Sequence, residues 1–152
     1  MQRPVAVLWR LFLWAVLAAI LHLVWEIAQL PLYTLWDDPD RARVAAYVLH
    51  CLLGDVLIAV SVYLLTAIVF RDLAWPVRRP WTAGGFMIAA GLGFTIFSEW
   101  YNVYVTGAWA YQPAMPLVAG IGLTPLLQWL IVPLLMILIL RRMMRHSPTQ
   151  RR

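Results

Sequence analysis

Apolar residues gather in four long runs, near 8–30, 44–70, 81–104 and 117–140. Each is close to or above the roughly 20 residues that a helix needs to cross about 30 Å of hydrocarbon. Three short links join them. The first is acidic and holds Asp37, Asp38, Pro39 and Asp40; the second, 71–80, is basic; the third, 106–116, is rich in Gly, aromatics and Pro. Short links favour antiparallel neighbours. The expected architecture is all-α: a polytopic membrane protein, a single integral membrane domain over 1–152, built as a four-transmembrane-helix bundle with a basic tail at 141–152.

Composition agrees. Hydrophobic residues make up 63% of the 152-residue chain, against about 45–50% in soluble domains. Charged residues make up only 12%, too few to cover a water-soluble core, so a soluble enzyme is excluded. The first run is too long for a secretory signal, carries Glu26 and lacks a convincing cleavage site, so it reads as a retained helix. All 12 basic residues are Arg. Arg3, Arg10, Arg71, Arg78, Arg79, Arg141, Arg142, Arg145, Arg151 and Arg152 fall on one side and only Arg41 and Arg43 on the other. The positive-inside rule then puts both termini in the cytoplasm, as expected of a multi-pass protein of a bacterial inner membrane. The Arg-rich tail suits anionic lipid headgroups and not nucleic acid. Cys51 stands alone and reports no redox compartment.

Sliding the chain along itself by 73 residues superposes Glu26 on Glu99, Gln29 on Asn102, Trp36 on Trp109 and Asp55 on Gln128. Such a match offers two parallel two-helix repeats related by an axis along the membrane normal.

The polar residues inside the apolar runs carry the chemistry. Glu26, Asp55 and Glu99 are there, with His22, His50, Gln29, Asn102 and Gln128. A charged, unpartnered carboxylate costs roughly 2.5–3.5 kcal/mol at mid-bilayer, so these groups must turn inward and meet partners or hold protons. At about 1.5 Å per residue, Glu26 lies about 6 Å, Glu99 about 8 Å, His50 about 9 Å, His22 about 12 Å, and Asp55 and Gln128 about 16 Å below the outer ends of their helices. All fall in the outer half of the bilayer, which predicts one outer-leaflet pocket.

His22, Glu26 and Gln29 share a helix face, as do Thr95, Glu99 and Asn102. Glu26 and Glu99 are therefore expected to oppose each other across the bundle. His50 and Asp55, about 140° apart around a helix, point to different places, and His50 is expected at a neighbouring interface. Gly54 is read as a point of close helix approach. Pro125 is read as the place where an unwound turn adds polar atoms beside Gln128. Trp109 and Tyr111 form either an interface belt or a cover over the pocket.

Two carboxylates in a dry pocket share one proton and so supply an acid and a base at once. The leading expectation is cofactor-free acid/base chemistry, of isomerase or cyclase type, on a membrane lipid or isoprenoid. Glu26, Glu99, Asp55, His22, Asn102 and Gln128 are the candidate catalytic residues. Trp25, Gln29, Trp100, Tyr101, Trp109 and Tyr111 are the candidate substrate-binding residues, because aromatic faces shield a carbocation. The helix bearing His22 four residues before Glu26, with Glu99 and Asn102 on another, resembles the emopamil-binding sterol isomerases, which implies double-bond isomerisation by His, Glu and Asn in a membrane bundle. Gly107, Trp109 and Tyr111 followed by Pro125 resemble the membrane lycopene cyclase domain, except that Leu127 and Gln128 stand where that family has paired acids. As a whole, the chain resembles a family of small bacterial four-helix membrane proteins.

Two other classes stay open. His22, His50, Glu26 and Glu99 offer mixed ligands for Zn or Fe, or two histidines for haem. The polar faces also suit a non-enzymatic assembly or interaction module, and a homo-oligomer is compatible with them. No P-loop, dinucleotide fingerprint, CxxC pair or nucleophile elbow is present.

Overall fold

The computed structural model describes residues 4–145. In chain order the helices are α1 (Pro4–Gln29), α2 (Arg41–Val69), the one-turn α3 (Trp75–Arg78), α4 (Thr82–Trp100) and α5 (Leu123–Arg145). Three segments, Val7–Leu32, Arg41–Val69 and Leu123–Met144, are long and apolar enough to cross a membrane. α4 is not among them, because four glycines together with Thr95, Ser98 and Glu99 dilute its hydropathy. α1 packs on α2 and α5, and α4 packs on the same two, so the four long helices close a ring.

Local chemistry sets the boundaries. Pro31 has no N–H to continue α1, which gives way to 3₁₀ turns over Leu30–Leu32 and Thr34–Asp37. Asp40 caps α2, its carboxylate accepting from the N–H groups of Ala42 and Arg43. Arg43 bridges back to Asp38 and Asp40, so two of the link's acids hold a helix start. α2 stops in a Schellman arrangement: Asp72 N–H reaches Ala67 O, Arg71 N–H reaches Ile68 O, and Arg71 sits at φ 49°.

Three expectations need correction here. Residues 117–122 do not begin the last helix; β1 (Leu117–Val118) and β2 (Ile121–Gly122) form a small hairpin there, with Ala119 and Gly120 at φ 50° and 84°. Two consecutive positive φ values are what a tight hairpin turn requires. Pro125 unwinds nothing, because it lies in the first turn of α5, where backbone N–H groups have no helical acceptor anyway. The third apolar run ends its α-helix at Trp100 and widens into a π-helical turn over Tyr101–Thr106, closed by Gly107 at φ 63°. Arg3 and the basic tail beyond residue 145 lie outside the described residues.

At one end of the ring the core is dry and aromatic. Trp14, Tyr63 and Trp75 meet with ring centroids 5.3–5.7 Å apart. Each polar tip is satisfied: Trp14 donates to Ala59 O, Trp75 to Tyr63 O and Tyr63 to Leu73 O. Further along, a Cβ on Gly91 would sit 2.3 Å from the Trp129 ring, so only glycine lets α4 and α5 close at that height. Gly54 shows the opposite; a Cβ there would meet nothing within 4 Å, and close helix approach is not its role.

Candidate functional site

The other end of the ring holds a cavity of about 170 Å³, and its walls come from α1, α2, α4, α5 and the two links. That is comparable to the roughly 150 Å³ that admits a benzene ring. Glu26, Asp55, Glu99 and Gln128 all line it.

Gln128 is the hub. Its side chain is 2% exposed, and its Nε2 donates to Glu26 at 3.1 Å and Asp55 at 3.0 Å and lies 2.9 Å from His22 Nδ1. Its Oε1 accepts from Gln29 at 3.3 Å. Gln29 also donates to Glu26 at 3.0 Å and accepts from the Trp25 indole at 3.2 Å. His22, fully buried against the Trp129 ring, lies 3.4 Å from Asp55. Its Nε2 has no hydrogen-bond partner among the described residues. Glu26 and Asp55 are thus held on one and the same amide.

Glu99 occupies a separate wall. It accepts from the Tyr111 hydroxyl at 2.6 Å and the Tyr33 hydroxyl at 3.4 Å. Those two tyrosines are brought together by a bridge between the first and third links, in which Thr34 N–H reaches Ala110 O and Gln112 N–H reaches Leu32 O. Burial, and then the neighbouring Glu99, push both phenols above the ordinary tyrosine range, so they stay protonated and donate. The Trp109 indole N–H is buried beside Glu99 without reaching hydrogen-bond geometry.

The expected site is therefore gathered in part and rearranged in part. Glu26 shares the Gln128 amide with Asp55, one helix over, while Glu99 is held by Tyr33 and Tyr111. Asn102 lines the cavity but turns its amide back onto Ser98. His50 is no interface residue; it is exposed and forms part of the cavity wall. Trp100 and Tyr101 point away from the site and stack on Phe97 at the outer surface. Of the expected aromatic residues only Trp109 lines the cavity, while Trp25 and Tyr111 act from behind, through Gln29 and Glu99.

Tyr33, Tyr47 and Cys51 in the wall escaped the sequence reading. Tyr33 had a signal, since Glu26, Gln29 and Tyr33 repeat at i, i+3, i+7. Among the described residues no three His, Cys, Asp or Glu side chains converge as metal ligands. His22 stands behind Gln128 while His50 faces the cavity, so the two do not fit opposite faces of one haem.

A second, shallower cavity adjoins the first. Asp37, Asp38, Asp40 and Arg43 line it, and it shares Leu35, Tyr47 and Trp109 with the main one. Those three side chains are the partition between the site and the acidic link. No family model matches the chain, nor does any curated protein or solved structure.

Proposed function

We propose that this chain is a multi-pass membrane enzyme performing cofactor-free acid/base chemistry, of isomerase or cyclase type, on a lipid or isoprenoid. In this reading α4 crosses the bilayer with the other three long helices, the arginine-bearing ends face the cytoplasm of a bacterial inner membrane, and the cavity lies in the outer leaflet. Basic residues at the inner ends, including the tail, then meet anionic headgroups.

The observation that carries the proposal is the arrangement of Glu26 and Asp55 on a single Gln128 amide beside the cavity. That amide has two hydrogens for three acceptors, counting His22 Nδ1. A proton resident on the Glu26–Asp55 pair completes the network and leaves one carboxyl as acid and the other as base. The acid protonates one carbon of a double bond, which leaves the cation on the other, and the base removes a proton from the next carbon beyond that cation. The double bond moves and the pair regains its proton, so no other reactant is consumed. The rings of Tyr33, Trp109 and Trp129 line the same space and suit a transient carbocation, while Glu99 with its two tyrosine donors offers a second proton-handling group on the opposite wall.

The two-helix repeat belongs to the same reading. α1 and α4 stand diagonally in the ring, as do α2 and α5, and Asp55 meets its offset counterpart Gln128 at the centre.

Native mass spectrometry of the protein released from detergent without chelator tests the proposal. The expected result is a retained lipid or isoprenoid in the wild type that is lost in the Glu26→Gln, Asp55→Asn double variant. Identical adducts in both proteins, or none, would favour a structural or assembly role. A metal or haem mass lost in the variant would end the cofactor-free reading.

A further inference from the structure

Of the glycines whose Cβ would meet nothing within 4 Å, Gly54 on α2 is the one that lines the cavity. Gly54 and His50, one turn apart, both line the cavity, and His50 is exposed, so the cavity reaches the outer surface along this edge of α2. A Cβ at Gly54 would find only open space. The neighbouring outward residues Leu53 and Leu57 are strongly exposed and apolar, as expected of a face turned to hydrocarbon. Counting roughly 20 residues of hydrocarbon back from Phe70 sets the far membrane boundary near His50, with Gly54 about 6 Å inside it. The opening therefore faces acyl chains and not water.

We propose that the cavity is filled sideways from the bilayer through a portal at Gly54, and that this glycine decides which chains pass. This rests on the proposed function and adds a route and a specificity-determining position to it. The occupant is an isoprenoid or acyl chain, laid over Gly54 with its reacting carbons beside Asp55, the next residue along. Any larger side chain at position 54 would stand in the portal. The alternative route runs from water, through the acidic link and past Leu35, Tyr47 and Trp109.

Cys51, the chain's single cysteine, lines the cavity three residues from Gly54, so the native protein already holds its own reporter. Cysteine reactivity follows access. The experiment compares modification of Cys51, in sealed proteoliposomes, by a dodecyl maleimide dissolved in the bilayer and by a sulfonated, membrane-impermeant maleimide. The alkyl reagent should react faster by roughly tenfold or more, Gly54→Leu should slow it by about the same factor, and Gly54→Ala and Gly54→Val should fall between in order of size.

Equal or faster labelling by the sulfonated reagent would overturn the portal in favour of the water route. An alkyl rate unchanged in Gly54→Leu would remove Gly54 from the path. Unfolding of that variant would show as faster labelling by both reagents, and the Ala and Val variants would then decide. Since the readout needs no turnover, a chain with a portal but no chemistry would pass here and still lose the proposed function.

Discussion

The two ends of the same helix ring are built on opposite rules. At the arginine-bearing end, Trp14, Tyr63 and Trp75 fill the space and the polar tip of each of the three has a partner. At the aromatic-link end, three carboxylates, two glutamines and two tyrosines surround a space left open. Trp129 stands between them, packed into Gly91 on one side and against His22 on another. The contrast separates a filled end that fixes helix positions from an open end whose carboxylates, costly inside a bilayer, are each held by hydrogen bonds.

Several substitutions would sharpen or break that division. The largest effect belongs to Trp75→Ala, which should cost about 3–5 kcal/mol, read as an early melt in detergent, with no selective change at the cavity. Gly91→Ala comes next, at about 1–3 kcal/mol of overpacking, because its methyl would press on Trp129. Gly54→Ala should instead be neutral or stabilising by up to about 1 kcal/mol. Equal melts for the two glycine variants would undo the contrast. Tyr111→Phe removes the shorter hydrogen bond to Glu99 and should cost about 1.5–3 kcal/mol if that carboxylate is ionised, less if Tyr33 closes in. Ala119→Gly should add about 1 kcal/mol by relieving the left-handed backbone. The smallest effect is spectroscopic: an alkaline absorbance titration should show no difference near pH 10 between wild type and the Tyr33→Phe, Tyr111→Phe variant, because neither phenol ionises in the ordinary range.

Much of the helical layout was legible because apolar run length alone predicts it. The gathering of Glu26, Asp55, Glu99 and Gln128 at one end was legible from depth, which needs only counting. The pairing was not. Whether Glu26 meets Asp55 or Glu99 depends on how each helix is rotated, and that rotation is set by packing such as Gly91 on Trp129, which no single-helix periodicity contains. Tyr33 and Tyr111 reach Glu99 through a bridge between two links far apart in sequence. Trp100 is a candidate by its aromatic chemistry alone, yet it stands one residue from Glu99, about 100° around the helix, enough to turn it outward. Residues 117–122 are apolar enough to pass for helix, and only the backbone turn at Ala119 and Gly120 makes them a hairpin.

The central claim is that Glu26 and Asp55 exchange protons with carbon. Its most direct measurement is deuterium uptake into bacterial membrane lipids and isoprenoids, incubated in D₂O with wild-type protein or the Glu26→Gln, Asp55→Asn variant and read by mass spectrometry. The account predicts carbon-bound deuterium in one lipid class with wild type, reduced by about 10²–10⁴-fold in the variant, while both proteins melt alike. Uptake that is absent from both, or equal in a variant that stays folded, would contradict it.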